Sequence, residues 1–116
     1  MAAHNEINGI PCHGNKWLLN DLLRDELGFD GFVVSDWMDI ERLHSMHHWV
    51  PDSTEAFVVS VESGIDMHMQ GDKYFEAVVA AVKSGRIPES RIDQAAGKIL
   101  AVKFALGLFE HPVPEI

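Results

Sequence analysis

Apolar positions along this chain alternate between two spacings, and the switch between them predicts its elements. From Trp17 to Leu27 the residues Trp17, Leu18, Leu19, Leu22, Leu23 and Leu27 recur at helical intervals behind Asn15, a residue suited to capping a helix. Phe32-Val33-Val34 is instead a short uninterrupted apolar run, bracketed by Gly28 and Gly31, and predicts a parallel strand covered on both faces. A short helix is expected within Asp39–Val50. A second begins at Asp52, where Glu55 completes a capping-box spacing, and stops at Gly64. Ile65-Asp66-Met67-His68-Met69 predicts the next strand. Lys73 to Ser84 predicts a helix ended by Gly85, and Pro88 opens a long final helix that Gly107 and Pro112 terminate. The opening stretch Asn5-Glu6-Ile7-Asn8-Gly9-Ile10-Pro11 reads as a loop.

Helix, strand, helix, strand, helix is the pattern of βα units in a parallel sheet. Two strands do not close a (β/α)8 barrel, which needs eight strands and about 250 residues. At 116 residues the chain reads as a slice of an α/β barrel with an added closing helix. The predicted strand at 32–34 runs out at Ser35 and Asp36, and in parallel α/β architectures the chemistry gathers just past the carboxyl ends of the strands. Asp36 is therefore a candidate active-site carboxylate. The plainer alternative is that it caps the following helix by accepting a backbone N–H near Asp39.

Charge and composition narrow the partners. With 18 acidic and 9 basic residues the net charge is −9, which disfavours nucleic acid and anionic membranes, and the 47% apolar content is that of a globular chain. The single Cys12 rules out an internal disulfide framework. The first residues, Met1-Ala2-Ala3-His4-Asn5-Glu6, carry neither the basic nor the apolar region of a signal peptide, so the compartment stays open. His44, His47, His48 and His68 raise the question of a metal site. No cysteine pair or His-Glu-x-x-His motif accompanies them, and neither metal nor cofactor is expected.

Several motifs in order resemble the last quarter of the N-terminal barrel domain of glycoside hydrolase family 3, the family of many β-glucosidases. Asn5-x-Ile7-Asn8-Gly9-Ile10-Pro11 is similar to the loop after the sixth barrel strand, Leu27 to Trp37 to the seventh strand, and Gly64-Ile65-Asp66-Met67 to the eighth. Arg91-Ile92-Asp93, Ile99-Leu100, Lys103-Phe104 and Gly107-Leu108-Phe109-Glu110 resemble the closing helix and the exit to a linker. On this resemblance residues 1–116 are a partial barrel domain, with 107–116 as the exit segment.

The resemblance implies that Asp36 is the nucleophile of a retaining glycosidase acting on β-glucosides or related β-linked sugars, and that Trp37 lines the sugar pocket. It favours a glucosidase-like or xylosidase-like branch, because relatives acting on N-acetylglucosaminyl fragments carry a second Asp after the nucleophile. Met1 and His4 match a Met and a Tyr that reach the same subsite, with His4 departing from the pattern. Asp66 is expected to be structural. The acid/base Glu, the sugar-binding Arg and a Lys-His pair belong to regions this sequence does not contain, so the chain alone is expected to be inactive. A periplasmic or extracellular place suits an intact enzyme of this kind, and open sheet edges suggest self-association of the isolated chain. The rival readings are a truncated non-catalytic relative or a carbohydrate-binding fragment, and a histidine-based metal module.

Overall fold

The computed structural model describes residues 1–113; residues 114–116, the end of the expected exit segment, lie outside the described residues. Its fold is α/β, with four α-helices and one π-wound helix around a few short extended segments. Asn15 begins the first helix as expected: its Oδ1 accepts the Leu18 N–H at 3.1 Å. The helix over Trp17–Glu26 is wound in π fashion, and its end shows the wide turn, with Leu27 N donating to Leu22 O at 3.0 Å.

Three extended segments lie side by side. Val34 pairs in parallel with Met67, with Met67 N donating to Val33 O at 3.1 Å and Ser35 N to Met67 O at 2.9 Å. On the other side Ala2 N donates to Val34 O at 3.0 Å. The predicted strands thus exist as a short parallel pairing, narrower than the Ile65–Met69 run expected. The stretch read as a loop is in fact a small hairpin, β1 (Glu6–Ile7) and β2 (Ile10–Pro11), antiparallel across Asn8-Gly9. Both turn residues have positive φ, 53° and 76°, the requirement that makes Asn-Gly a tight hairpin turn.

The helices that follow are α1 (Asp39–Ser45), α2 (Ser53–Ser63), α3 (Tyr74–Lys83) and α4 (Glu89–Ala105). Asp52 Oδ1 caps α2 by accepting Glu55 N at 2.8 Å. The reciprocal half of the expected capping box does not form, because the Glu55 carboxylate pairs with Arg86 at 2.7 Å. Gly64, at φ 116°, ends α2 in a conformation closed to other residues, with Leu19 and Asn20 packed where a Cβ would stand.

The main core lies where α1 and α2 meet the extended segments and holds Ile40, Leu43, Ala56, Phe57 and Ile65. A second cluster, Val58, Val61, Ala81 and Ile87, joins α2 to α3. The apolar face read for the first helix is only partly used: Leu19 is buried, while Trp17 and Leu27 are exposed. The final helix buries Ala95 alone and leaves Leu100, Phe104 and Leu106 exposed. No helix of the described residues is long and apolar enough to cross a membrane.

Candidate active site

Asp36 stands one residue past the end of the central parallel pairing, half-buried, at the turn into α1. Its carboxylate does not cap α1 by accepting from Asp39. Oδ1 accepts the N–H of the next residue, Trp37, at 2.7 Å, while Asp39 N meets the Asp36 carbonyl at 3.4 Å. Oδ2 makes no protein hydrogen bond among the described residues, which leaves one oxygen free to act.

The backbone around that carboxylate is held by buried side chains. Asp36 N donates to His13 Nε2 at 3.0 Å. The fully buried Ser35 donates from Oγ to the Asp36 carbonyl at 3.0 Å and accepts Met69 N at 2.9 Å, tying the turn to the segment after the neighbouring strand. Met38 then takes φ 55°, a left-handed conformation costly for a residue with a side chain.

Beneath this turn lies a second carboxylate. Asp39 has a side chain only 2% exposed, and three groups surround it. His4 Nδ1 donates to both of its oxygens at 2.8 and 2.9 Å, Arg42 Nη1 donates to Oδ1 at 2.6 Å, and His13 Nδ1 lies 4.0 Å from Oδ2. Burial pushes the Asp39 carboxyl upward, but the hydrogen bonds from His4 and Arg42 and the nearby imidazoles outweigh it. The group therefore stays ionised below the ordinary carboxylate range. Burial lowers His13 below the ordinary imidazole value against the opposing pull of Asp39 and Asp36, so it is neutral at pH 7 and able to accept.

Of the residues singled out by sequence, Asp36, Trp37 and His4 gather at this turn. Trp37 is 55% exposed, its ring free of the core. Met1 is also exposed, one residue before the Ala2 hydrogen bond that pairs its segment with Val34. His4 is engaged by Asp39 through Nδ1. Asp66 sits at the start of the same parallel pairing, three residues before Asp36's level, beside Val33. Its Oδ2 takes Val33 N at 2.8 Å and Arg24 Nη2 at 2.6 Å, while Arg91 Nη2 stands 3.0 Å from Oδ1.

Of the histidines weighed as metal ligands, His44, His47 and His68 serve separate local contacts. His44 Nδ1 bonds Val50 O, His47 Nδ1 bonds Glu6 Oε1, and His68 stacks on Tyr74 at 4.4 Å. No group of three metal-binding side chains forms among the described residues.

Sequence reading missed His13, Asp39 and Arg42. The i, i+3 spacing of Asp39 and Arg42 was legible as a helical ion pair, but nothing local marks His13.

The molecule thus presents a partly free carboxylate just past the carboxyl ends of parallel extended segments, on a rigid turn, in an α/β domain. A model described as "Glycosyl hydrolase family 3 N terminal domain" matches residues 1–102, and the chain belongs to that family. Among its relatives, a beta-xylosidase of Formosa agariphila is 42% identical over 118 residues, covering 95% of this chain and 16% of that protein. A lysosomal beta glucosidase of Dictyostelium discoideum is 42% identical over 98% of this chain and 14% of its own length. The beta-glucosidase from Listeria innocua, solved in complex with glucose, superposes with a TM-score of 0.90 at 36% identity over 95% of this chain and 15% of that one. The chain therefore spans about one-sixth of the length of the relatives it matches.

Proposed function

We propose that this chain is the closing part of a (β/α)8 barrel in a retaining glycoside hydrolase acting on β-glucosides or related β-linked sugars, with Asp36 as nucleophile. The observation that carries the reading is the placement of Asp36: past the ends of the parallel segments, with its peptide pinned by His13 and Ser35 and with Oδ2 unengaged. Attack by Oδ2 on the anomeric carbon gives a covalent glycosyl ester. Protonation of the leaving oxygen falls to a second carboxyl group about 5 to 5.5 Å away, supplied from outside this chain. Trp37 offers an indole face to the C–H face of the sugar, and His4 and Met1 border the same subsite. Support for the sugar class comes from the relatives' names and from the Listeria innocua beta-glucosidase, solved in complex with glucose and, as a mutant, with laminaribiose. On the same reading residues 107–116 are the exit segment toward a linker.

The test is to treat the complete polypeptide carrying this chain with a 2-fluoro β-glucoside bearing a good leaving group, then map the label by peptide mass spectrometry. Label on Asp36 is the expected result. Label on another carboxylate, or turnover that survives Asp36→Asn, overturns the assignment. The 116-residue chain alone is expected to give no turnover of an aryl β-glucoside, since on this reading the acid/base carboxyl group comes from outside it.

A further inference from the structure

A parallel ladder that continued past Ser35 would spend the Asp36 N–H on a neighbouring backbone carbonyl. Here an imidazole takes it. His13 is 2% exposed and accepts that N–H through Nε2 at 3.0 Å, which stops the pairing and lets the chain turn at Asp36. An accepting Nε2 carries no proton, so the ring's hydrogen is assigned to Nδ1, which faces Asp39 Oδ2 at 4.0 Å. The tautomer that Asp36 needs is thus the one that carries its proton on the nitrogen nearer the buried carboxylate, within Coulombic reach of it. The same carboxylate holds Arg42, whose Nη1 also reaches the Trp37 carbonyl at 3.4 Å, so the peptide before Asp36 and the peptide after Trp37 both trace back to Asp39.

We propose that His13, oriented by Asp39, is a positioning residue for Asp36: the buried pair fixes the peptide from which the attacking carboxylate projects. The inference rests on the proposed role of Asp36. An apolar residue at position 13 would leave a half-buried N–H unpaired and free the turn to relax, and a shift of about 1 Å in a reacting group can cost on the order of a hundredfold in rate. Asp39 acts at one remove, through the orientation of the ring and of Arg42.

The test measures kcat and KM on an aryl β-glucoside or β-xyloside in the complete polypeptide, alongside amide hydrogen exchange at Asp36. His13→Ala is expected to lower kcat by about tenfold or more with KM within roughly threefold, and to speed exchange of the Asp36 amide by a similar factor. His13→Gln places an amide oxygen where Nε2 stood and is expected to restore kcat to within about threefold of the parent. Asp39→Asn, equal in size, is expected to give an intermediate loss. An unchanged kcat in His13→Ala, or a Gln variant no better than Ala, overturns the proposal. If His13→Ala does not fold, His13→Gln and Asp39→Asn decide it: activity indistinguishable from the parent in Asp39→Asn removes the orienting role. If turnover survives Asp36→Asn, the nucleophile reading fails, and the Asp36 amide readout still decides whether the pair positions that peptide.

Discussion

The two ends of this molecule are held together by different means. Around Asp36, Asp39 and Asp66, polar side chains reach across long stretches of sequence: His4 to Asp39 over 35 residues, Arg24 to Asp66 over 42. Apolar packing coincides with them, in Ile40, Leu43, Phe57 and Ile65. Among the described residues the C-terminal end has its polar anchors in the first ten residues of α4. Arg91 donates to Val61 O and Ile65 O, and Lys98 Nζ to Asp30 O, but beyond them α4 runs on with Leu100, Phe104, Leu106, Leu108 and Phe109 exposed. Between α3 and α4 lies an apolar groove of about 470 Å³ lined by Val78, Val82, Ile92 and Ile99. The contrast separates what a helix needs to form from what it needs to pack. α4 has Pro88 at its start and Gly107 at its end, yet its apolar face meets little within the described residues. Under the proposed barrel reading, the covering elements belong to the rest of the domain.

The sharpest way to break this contrast is Asp66→Ala, which leaves Arg24 and Arg91 facing each other without their shared carboxylate. A loss of about 3 to 5 kcal/mol is expected, enough to abolish a cooperative urea transition followed by circular dichroism. A loss under about 1 kcal/mol would mean that the ion cluster is incidental. Phe57→Ala, in the core beneath α1, is expected to cost about 3 to 5 kcal/mol by transfer and cavity formation, seen as a lower urea midpoint.

Acidification should act next, and on the site end. Burial depresses His13 and His68, so the unfolded chain binds more protons than the folded one below the ordinary imidazole value of about 6.5. Stability is then present above that pH and lost as the pH falls toward the folded values. Asp39, also depressed, removes more as the pH falls below about 3.9. All three tryptophans, Trp17, Trp37 and Trp49, lie in this half, so fluorescence-monitored unfolding should show a midpoint that drops between pH 7.5 and 5. A flat midpoint contradicts the assignment. The smallest effect belongs to Phe104→Ala, expected to move the midpoint of the isolated chain by no more than about 0.5 kcal/mol; a core-sized loss would show that α4 is covered after all, for instance by a second copy of the chain.

Several elements could be read in advance because their causes are local. Asn15 and Asp52 cap the helices they precede, and Gly64, Gly85 and Gly107 take the positive φ that ends a helix. The hairpin at Asn8-Gly9 was equally local and was overlooked by treating Asn, Gly and Pro as generic loop content. The strands were harder. Their apolar runs are visible, but how far they pair depends on neighbours the sequence pattern does not name, and among the described residues only Val34 and Met67 meet as a parallel bridge.

The amino-acid sequence alone determined the order of the helices, the family, and the candidate at Asp36, because caps, periodicity and motif spacing act within a few residues. It did not distinguish the environments of three aspartates that look alike in one dimension. Asp36 keeps an unengaged oxygen, Asp39 is enclosed by His4, His13 and Arg42, and Asp66 is locked between two arginines. Only the tertiary structure decided that, since burial and charge pairing are set by groups that chain folding brings together from dozens of residues away.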